Sequence, residues 1–68
     1  MRLMVELDRE VDGRWIADVA ELPGVMVYGP TREAALSAAQ ALAFRVLADR
    51  LENGEALPEP LEVSKPRR

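Results

Sequence analysis

The stretch LPGVMVYGPTREAA, residues 22–35, decides the fold because it joins a strand to a helix through two turns. Pro23–Gly24 suits the two central positions of a type II turn, of which the second requires a positive φ. The apolar run after this turn predicts a strand, and Gly29 and Pro30 end it, since glycine takes unusual dihedrals and proline cannot donate to a ladder. Thr31 is the predicted N-cap of the helix that follows.

The same stretch raises the question of a phosphate site, because many anion sites place a glycine just before a helix N-terminus. Dinucleotide and Walker patterns need several spaced glycines, and the Walker pattern also needs a lysine followed by Ser or Thr. Here Gly29 stands alone beside a proline, without a lysine. The pattern is therefore typical of helix capping, and we predict no anion or cofactor site.

Two alternating segments before this stretch, residues 3–8 and 14–20, predict a β-hairpin. A two-residue turn would mix their polar and apolar faces. A three-residue loop with Gly13 in the left-handed region instead pairs Leu7 with Ala17. Because a one-residue slip would send a whole apolar set to the wrong face, we predict the three-residue loop.

Residues 32–53 predict one long helix, since alanine, leucine, glutamate and arginine dominate and no glycine or proline interrupts them. Asn53 and Gly54 supply its C-terminal stop. Its apolar arc covers more than half of the circumference and comprises Ala35, Leu36, Ala39, Leu42, Ala43, Phe44, Val46, Leu47 and Leu51. One sheet face needs only a stripe somewhat over 100° wide, so the arc predicts a second partner.

The predicted fold class is α+β, a two-layer β-β-β-α-β arrangement in which one long helix covers one face of an antiparallel sheet. Residues 61–63, LEV, are the predicted fourth strand. We predict a single domain over residues 1–63 and a flexible basic tail over residues 64–68.

Composition limits the chemistry that this chain can perform. The 68 residues include neither Cys nor His, which removes the usual zinc ligands, thiolate nucleophiles and the commonest general base. A domain of this size buries only about 60% of its unfolded surface, so self-association is expected.

Charge and hydropathy exclude further classes of partner. The net charge of −3 gives no basic footprint, so we expect no direct nucleic-acid binding. No apolar run approaches the roughly 18 residues of a membrane span. The N-terminal residues MRLMVELD carry charge too early for a signal peptide, and we expect the protein in the cytoplasm.

Three acids form the strongest alternative to a binding role. In the predicted register Glu6 lies opposite Asp18, with Asp8 on the same face. Clustered carboxylates on neighbouring strands can hold a divalent cation for phosphodiester chemistry. Nothing else of a nuclease site is present, so a solvated or partner-facing acidic face is the favoured interpretation, and we predict no catalytic or metal-binding residues.

Exposed aromatic side chains tend to anchor interfaces. Trp15 falls on the core face, so we predict that it packs in the core. The residues predicted for a partner or oligomer interface are Asp18, Glu21, Met26, Tyr28, Phe44 and Leu51. The residues predicted to define the fold are Gly13, Pro23, Gly24, Gly29 and Thr31.

Taken together, these segments resemble the HicB-like family, the antitoxin half of HicA–HicB toxin–antitoxin pairs. The resemblance covers most of the chain and rests on the first strand, DGRWIADVAELPGV (residues 12–25), the helix start and NGEALPEP (residues 53–60). The commonest family sequence at the helix start is Gly-Asp-Thr-x-Glu-Glu-Ala. Four residues of this chain match it: Gly29, Thr31, Glu33 and Ala35. Pro30 and Ala34 depart from it, and the second change removes the acid of a capping box.

The resemblance implies a protein that binds and occludes a small basic RNA-cleaving toxin with a double-stranded-RNA-binding-like fold. It also implies a partly RNase H-like topology without an established catalytic site, and frequent dimers or tetramers. Many members add a C-terminal DNA-binding domain, whereas this chain stops at Arg68, so we expect no operator binding of its own.

Three hypotheses follow from the sequence. The leading one is a homo-oligomeric antitoxin that neutralises a HicA-type toxin by direct binding. The second is an interaction domain of the same fold with an unrelated partner. The third is a metal-dependent nuclease that uses Glu6, Asp8 and Asp18.

Overall fold

The computed structural model describes residues 2–58. Its elements are, in chain order, β1 (Val5–Arg9), β2 (Trp15–Val19), β3 (Met26–Gly29) and α1 (Arg32–Glu52). The strands form one antiparallel sheet in the order β1-β2-β3, and α1 packs across one face of it. The α+β class is thereby confirmed for this part of the chain, while the predicted strand at 61–63 and tail at 64–68 lie outside the described residues.

The β1–β2 hairpin has the predicted register. Leu7 lies opposite Ala17, which keeps both apolar side chains on the face that meets α1. The backbone N–H of Glu10 donates to the carbonyl of Arg14 at 2.7 Å, closing a three-residue loop. Gly13 has a φ of 91°, in the left-handed region where only glycine is unstrained. The three-residue loop is therefore confirmed.

The connection from β2 to β3 contains the predicted type II turn. The backbone N–H of Val25 donates to the carbonyl of Leu22 at 3.0 Å, and Gly24 between them has a φ of 91°. Leu22 and Val25 are both buried, so this turn places two apolar side chains in the core.

Both ends of α1 are capped as the sequence predicts. The Thr31 hydroxyl accepts the backbone N–H of Ala34 at 3.0 Å. At the other end Gly54 has a φ of 75°, and the N–H of Glu55 donates to the carbonyl of Arg50 at 2.8 Å. This is the Schellman pattern, which satisfies the last carbonyls and turns the chain back towards the sheet.

Gly29 is essential for a different reason from the predicted one. It is the last residue of β3, and its φ is not positive. A Cβ at this position would lie 2.5 Å from the backbone N and 2.9 Å from the Cα of Ala35. The position therefore needs glycine because the first helical turn of α1 lies directly against the end of β3.

The core is apolar throughout the described residues, with no buried polar or charged side chain. Ala35, Ala39 and Ala43 form a buried stripe on α1, which lets the helix approach the sheet closely. Trp15 is half-buried and packs against this core, as predicted. The buried core residues are Ala17, Val19, Leu22, Val25, Ala35, Ala39, Ala43 and Leu47.

Candidate protein-binding surfaces

The face of the sheet turned away from α1, the outer sheet face, combines carboxylates with apolar side chains. The set of side chains on this face is determined by strand alternation, because every second side chain of β1, β2 and β3 points away from the helix. Three of its apolar members are more than two-fifths exposed: Met4 at 60%, Met26 at 52% and Tyr28 at 45%. Its strand residues are Glu6, Asp8, Ile16, Asp18, Met26 and Tyr28. Met4 and Arg14, one residue before β1 and β2, continue the same alternation and complete the outer sheet face.

One cross-strand row of the outer sheet face places two carboxylates side by side. Glu6 on β1 lies directly opposite Asp18 on β2, and Met26 on β3 follows in the same row. Like charges directly across an antiparallel pair destabilise it. This row therefore weakens the free domain, and a cationic group docked between the carboxylates would relieve the repulsion.

The neighbouring row has a carboxylate at one end and an aromatic ring at the other, with an apolar side chain between them. Asp8, Ile16 and Tyr28 lie across the three strands in that order. The guanidinium carbon of Arg14 lies 4.4 Å from the centre of the Tyr28 ring. A cation over an exposed ring contributes about 0.5–1 kcal/mol. The contact orients the Tyr28 ring on the surface of the sheet.

Arg14 is itself positioned by the hairpin loop. Its Nε donates to the Asp12 carboxylate at 2.8 Å, and its backbone N–H donates to the same carboxylate at 3.0 Å. The pKa of Asp12 is lowered, first by the backbone hydrogen bond from Arg14 and then by the hydrogen bond and charge of its side chain. The one basic side chain of the outer sheet face is thus engaged with Asp12 and Tyr28.

Two of the acids of the outer sheet face form a pair, and the third lies two residues along β1. Within residues 2–58, no three His, Cys, Asp or Glu side chains converge closely enough to hold one metal ion. The pair of Glu6 and Asp18 instead suits a cationic group placed between its two carboxylates.

A second candidate surface is an apolar groove between β1 and the C-terminal half of α1. It has a volume of about 540 Å³. It exists because α1 packs mainly over β2 and β3, which leaves the inner face of β1 partly uncovered. The groove residues are Leu3, Val5, Val19, Gln40, Ala43, Phe44, Leu47, Ala48, Leu51 and Leu57.

Five of the six predicted interface residues fall on these two surfaces. Asp18, Met26 and Tyr28 lie together on the outer sheet face. Phe44 and Leu51 lie along the groove and are 71% and 54% exposed. The two sets occupy opposite sides of the sheet, so they form two surfaces and not one.

Glu21, the sixth, belongs to neither surface. It follows β2, is half-buried, and its carboxylate accepts the backbone N–H of Met4 at 3.0 Å. It anchors the segment before β1. Leu57 lines the groove but is not among the residues predicted from the sequence, although a large apolar side chain in the mostly polar connector after α1 was a usable signal.

Within residues 2–58, no helix combines the length and the apolar character that a membrane crossing requires. Comparisons with protein-family models, with curated proteins and with solved structures find no match for this chain.

Proposed function

We propose that this chain is a protein-binding domain of antitoxin type, which neutralises a small basic mRNA-cleaving toxin by covering it. The observation that carries the proposal is the outer sheet face, where Glu6, Asp8 and Asp18 alternate with exposed Met4, Met26 and Tyr28. Interfaces combine apolar anchors with charges that select the partner, and this face offers both.

Charge complementarity defines the chemistry of the partner. The like-charged pair Glu6 and Asp18 gains most from a partner that brings arginine or lysine side chains to it. Met26 and Tyr28 beside this pair offer apolar contact area to the same partner. We therefore assign binding of a basic protein to this face and no catalytic role to its acids, and we place the protein in the cytoplasm with its toxin.

The fold supports the same proposal at the level of topology. We propose that the three strands and α1 are part of a HicB-like β-β-β-α-β domain with a partly RNase H-like topology. Thr31 at the N-cap and Gly29 against the first helical turn are two of the four positions that match the family sequence at the helix start.

We further propose that the domain self-associates. Phe44 is the most exposed aromatic side chain of the described residues, at 71%. The chain is also too small to rely on its own core alone. Light scattering at micromolar concentration should give a dimer or tetramer, and Phe44→Glu should shift the population towards monomer. Arg45→Glu, an exposed neighbour, is the matched control. A wild-type monomer would contradict self-association.

Co-expression with the product of an adjacent small basic open reading frame tests the function. The expected result is a stable complex and relief of the toxicity that this product causes when expressed alone. Failure to form a complex and to relieve toxicity would overturn the antitoxin proposal. A gene without such a neighbour would favour the interaction domain with an unrelated partner.

Charge reversal then tests the surface. Glu6→Lys/Asp18→Lys should weaken the complex by roughly tenfold or more, because like charges then face the basic partner. Asp49→Lys/Glu52→Lys on α1 makes the same change in net charge away from the outer sheet face. Equal losses in both variants would show that only net charge matters and would refute the assigned face.

A further inference from the structure

We infer that the outer edge of β3 pairs with β3 of a second copy of this chain, so that two sheets join into one. The inference rests on the self-association proposed above and gives it a contact separate from Phe44. Three observations carry it: the backbone groups at the edge of β3, the distribution of charge between the two edges of the sheet, and the position of α1.

The first observation is the direction of the backbone groups along β3, an edge strand of the described sheet. The N–H of Val19 on β2 donates to the carbonyl of Val25 at 3.0 Å. Because the direction alternates along an antiparallel strand, Val27 also bonds to β2, whereas the N–H and C=O groups of Met26 and Tyr28 point to the outer edge. In the described part of the chain no strand pairs with this edge, so β3 offers a template for another strand.

The second observation is the distribution of charge between the two edges of the described sheet. Two copies of β1 in the fully overlapping antiparallel register would place Glu6 opposite Asp8 of the second copy. The next registers on either side would place Glu6 opposite Glu6, or Asp8 opposite Asp8. By contrast β3, Met26–Gly29, carries no charged side chain, and charge is what commonly protects an edge from pairing. Of the two edges, only β3 pairs with its own copy without opposing like charges.

The uncharged edge also has a self-complementary register. A two-fold axis beside Val27 places Met26 opposite Tyr28 of the second copy, and Tyr28 opposite Met26 of the second copy. The two residues of each pair then exchange both of their N–H···O bonds, and a thioether lies beside an aromatic ring, which is a favourable contact. On the inner face, where Val27 packs against the core, the two Val27 side chains form a β-branched cross-strand pair.

The third observation is the position of α1, which packs mainly over β2 and β3. With neighbouring strands about 4.8 Å apart, pairing through β3 places the two helices about 10 Å apart, close to the roughly 8–10 Å of packed helices. Pairing through β1 would separate them by about 19 Å. Half-buried Leu42 lies about 200° around α1 from Phe44 of the groove, on the flank where the two helices meet. Pairing through β3 therefore brings both layers of the fold into contact.

The joined sheet combines the two outer sheet faces into one surface. Met26 and Tyr28 of both copies lie at its centre, and the pair of Glu6 and Asp18 lies on either side. The two acidic pairs are about 19 Å apart, which is four strand spacings. The dimer therefore presents the acidic pair of each copy to the same side.

Single cysteines test the contact in the full chain, which contains no cysteine of its own. Cysteines form a disulfide only when their Cα atoms lie within about 7 Å, and residues directly opposite each other on paired strands lie about 4.5–5.5 Å apart. Val27→Cys should therefore oxidise to a covalent dimer. Leu7→Cys, at the centre of β1 and likewise half-buried, is the matched control and should remain a single chain.

The outcomes separate this contact from self-association in general. A covalent dimer of Val27→Cys alone is the expected result. Covalent dimers of Leu7→Cys alone, or equal yields from both variants, would overturn the contact through β3. A wild-type chain that self-associates in light scattering while Val27→Cys forms no disulfide would overturn this contact and leave self-association standing, whereas a monomeric wild type would overturn both. None of these measurements involves the basic toxin, so the antitoxin proposal is tested separately.

A proline tests the backbone pairing without cysteine. The N–H of Met26 points to the outer edge, so Met26→Pro spares the bonds to β2 and removes a donor from the contact. It should weaken self-association by roughly tenfold or more relative to Met26→Ala, which removes the same side chain and keeps the donor. Circular dichroism establishes that both variants fold. Equal self-association of the two folded variants would refute backbone pairing at this edge.

Hydrogen exchange distinguishes a second copy from another occupant of the edge. The amides of Met26 and Tyr28 should exchange more slowly as the concentration of the domain alone is raised, because pairing then engages them. Protection that is independent of concentration, or that develops only after the basic toxin is added, would assign the edge to another strand and would overturn the inference.

Discussion

The replacement of Gly29 by alanine tests the packing between β3 and α1 most severely. An alanine Cβ would stand 2.5 Å from the backbone N of Ala35, whereas ordinary contacts begin at 3.4 Å. The start of α1 must therefore retreat from the sheet by about 0.9 Å, the difference between these distances. Because the opposing atoms belong to the backbone, no side-chain rotation relieves the overlap.

The expected cost lies at the upper end of the range for overpacked cores, about 3 kcal/mol. A domain of this length has a total stability of roughly 3–10 kcal/mol, so the loss removes a large part of it. The midpoint of thermal unfolding should fall by about 12–24 °C, at about 4–8 °C for each kcal/mol. Thermal and urea unfolding followed by circular dichroism measure both quantities.

Gly13→Ala is the control for this experiment. Gly13 has a φ of 91° and no atom within 4 Å of an added Cβ, so its replacement introduces backbone strain without overlap. That strain costs about 1–2 kcal/mol, less than the clash at Gly29. If Gly29→Ala unfolded within about 0.5 kcal/mol of the wild type, the close approach of α1 to β3 would be refuted.

Three further predictions concern the cap, the helix stripe and the hairpin loop. Thr31→Ala should lower the free energy of unfolding by about 1 kcal/mol, because the Ala34 N–H loses its acceptor; urea unfolding unchanged from wild type would contradict the cap. Ala39→Leu should cost about 1–3 kcal/mol by overpacking the buried stripe, whereas Ala38→Leu on the exposed face should be nearly neutral in the same assay. The pKa of Asp12 is depressed by the backbone N–H of its loop neighbour, so its contribution to stability is complete above its ordinary value of 3.8 and is lost as the pH falls through the folded value. An NMR titration of its carboxyl group with a midpoint at or above 3.8 would contradict this hydrogen bond.

The hairpin register was predictable from the sequence because it depends on a pattern within the chain. Of a two-residue and a three-residue loop, only the three-residue loop keeps Leu7 and Ala17 on the same apolar face, and the structure has that loop. The caps of α1 were predictable for the same reason, since Thr31 and Gly54 act on backbone groups within a few residues of themselves.

The surfaces were less predictable because they depend on how α1 lies on the sheet. The wide apolar arc predicts excess apolar surface, and Phe44 and Leu51 are indeed exposed. Only the structure shows that the helix leaves the inner face of β1 open, which creates the groove. The requirement for glycine at position 29 likewise comes from a neighbour that sequence spacing does not reveal.

The acidic pair was predictable from the hairpin register, but the conformations of the side chains around it were not. The predicted register places Glu6 opposite Asp18, and the structure confirms this pairing. The stacking of Arg14 on Tyr28 depends on side-chain conformations that alternation does not determine. The two together make this face both acidic and aromatic, which is what the proposed binding role uses.

NMR mapping of the basic partner on the isotope-labelled domain tests the central claim most directly. The product of the adjacent small basic open reading frame is added stepwise, and backbone amide shifts are followed residue by residue. Shifts should concentrate at Glu6, Asp18 and Tyr28, while the exposed face of α1 around Ala38 remains unchanged. Shifts confined to α1 and the groove, or no shifts at all, would contradict the binding role of the outer sheet face.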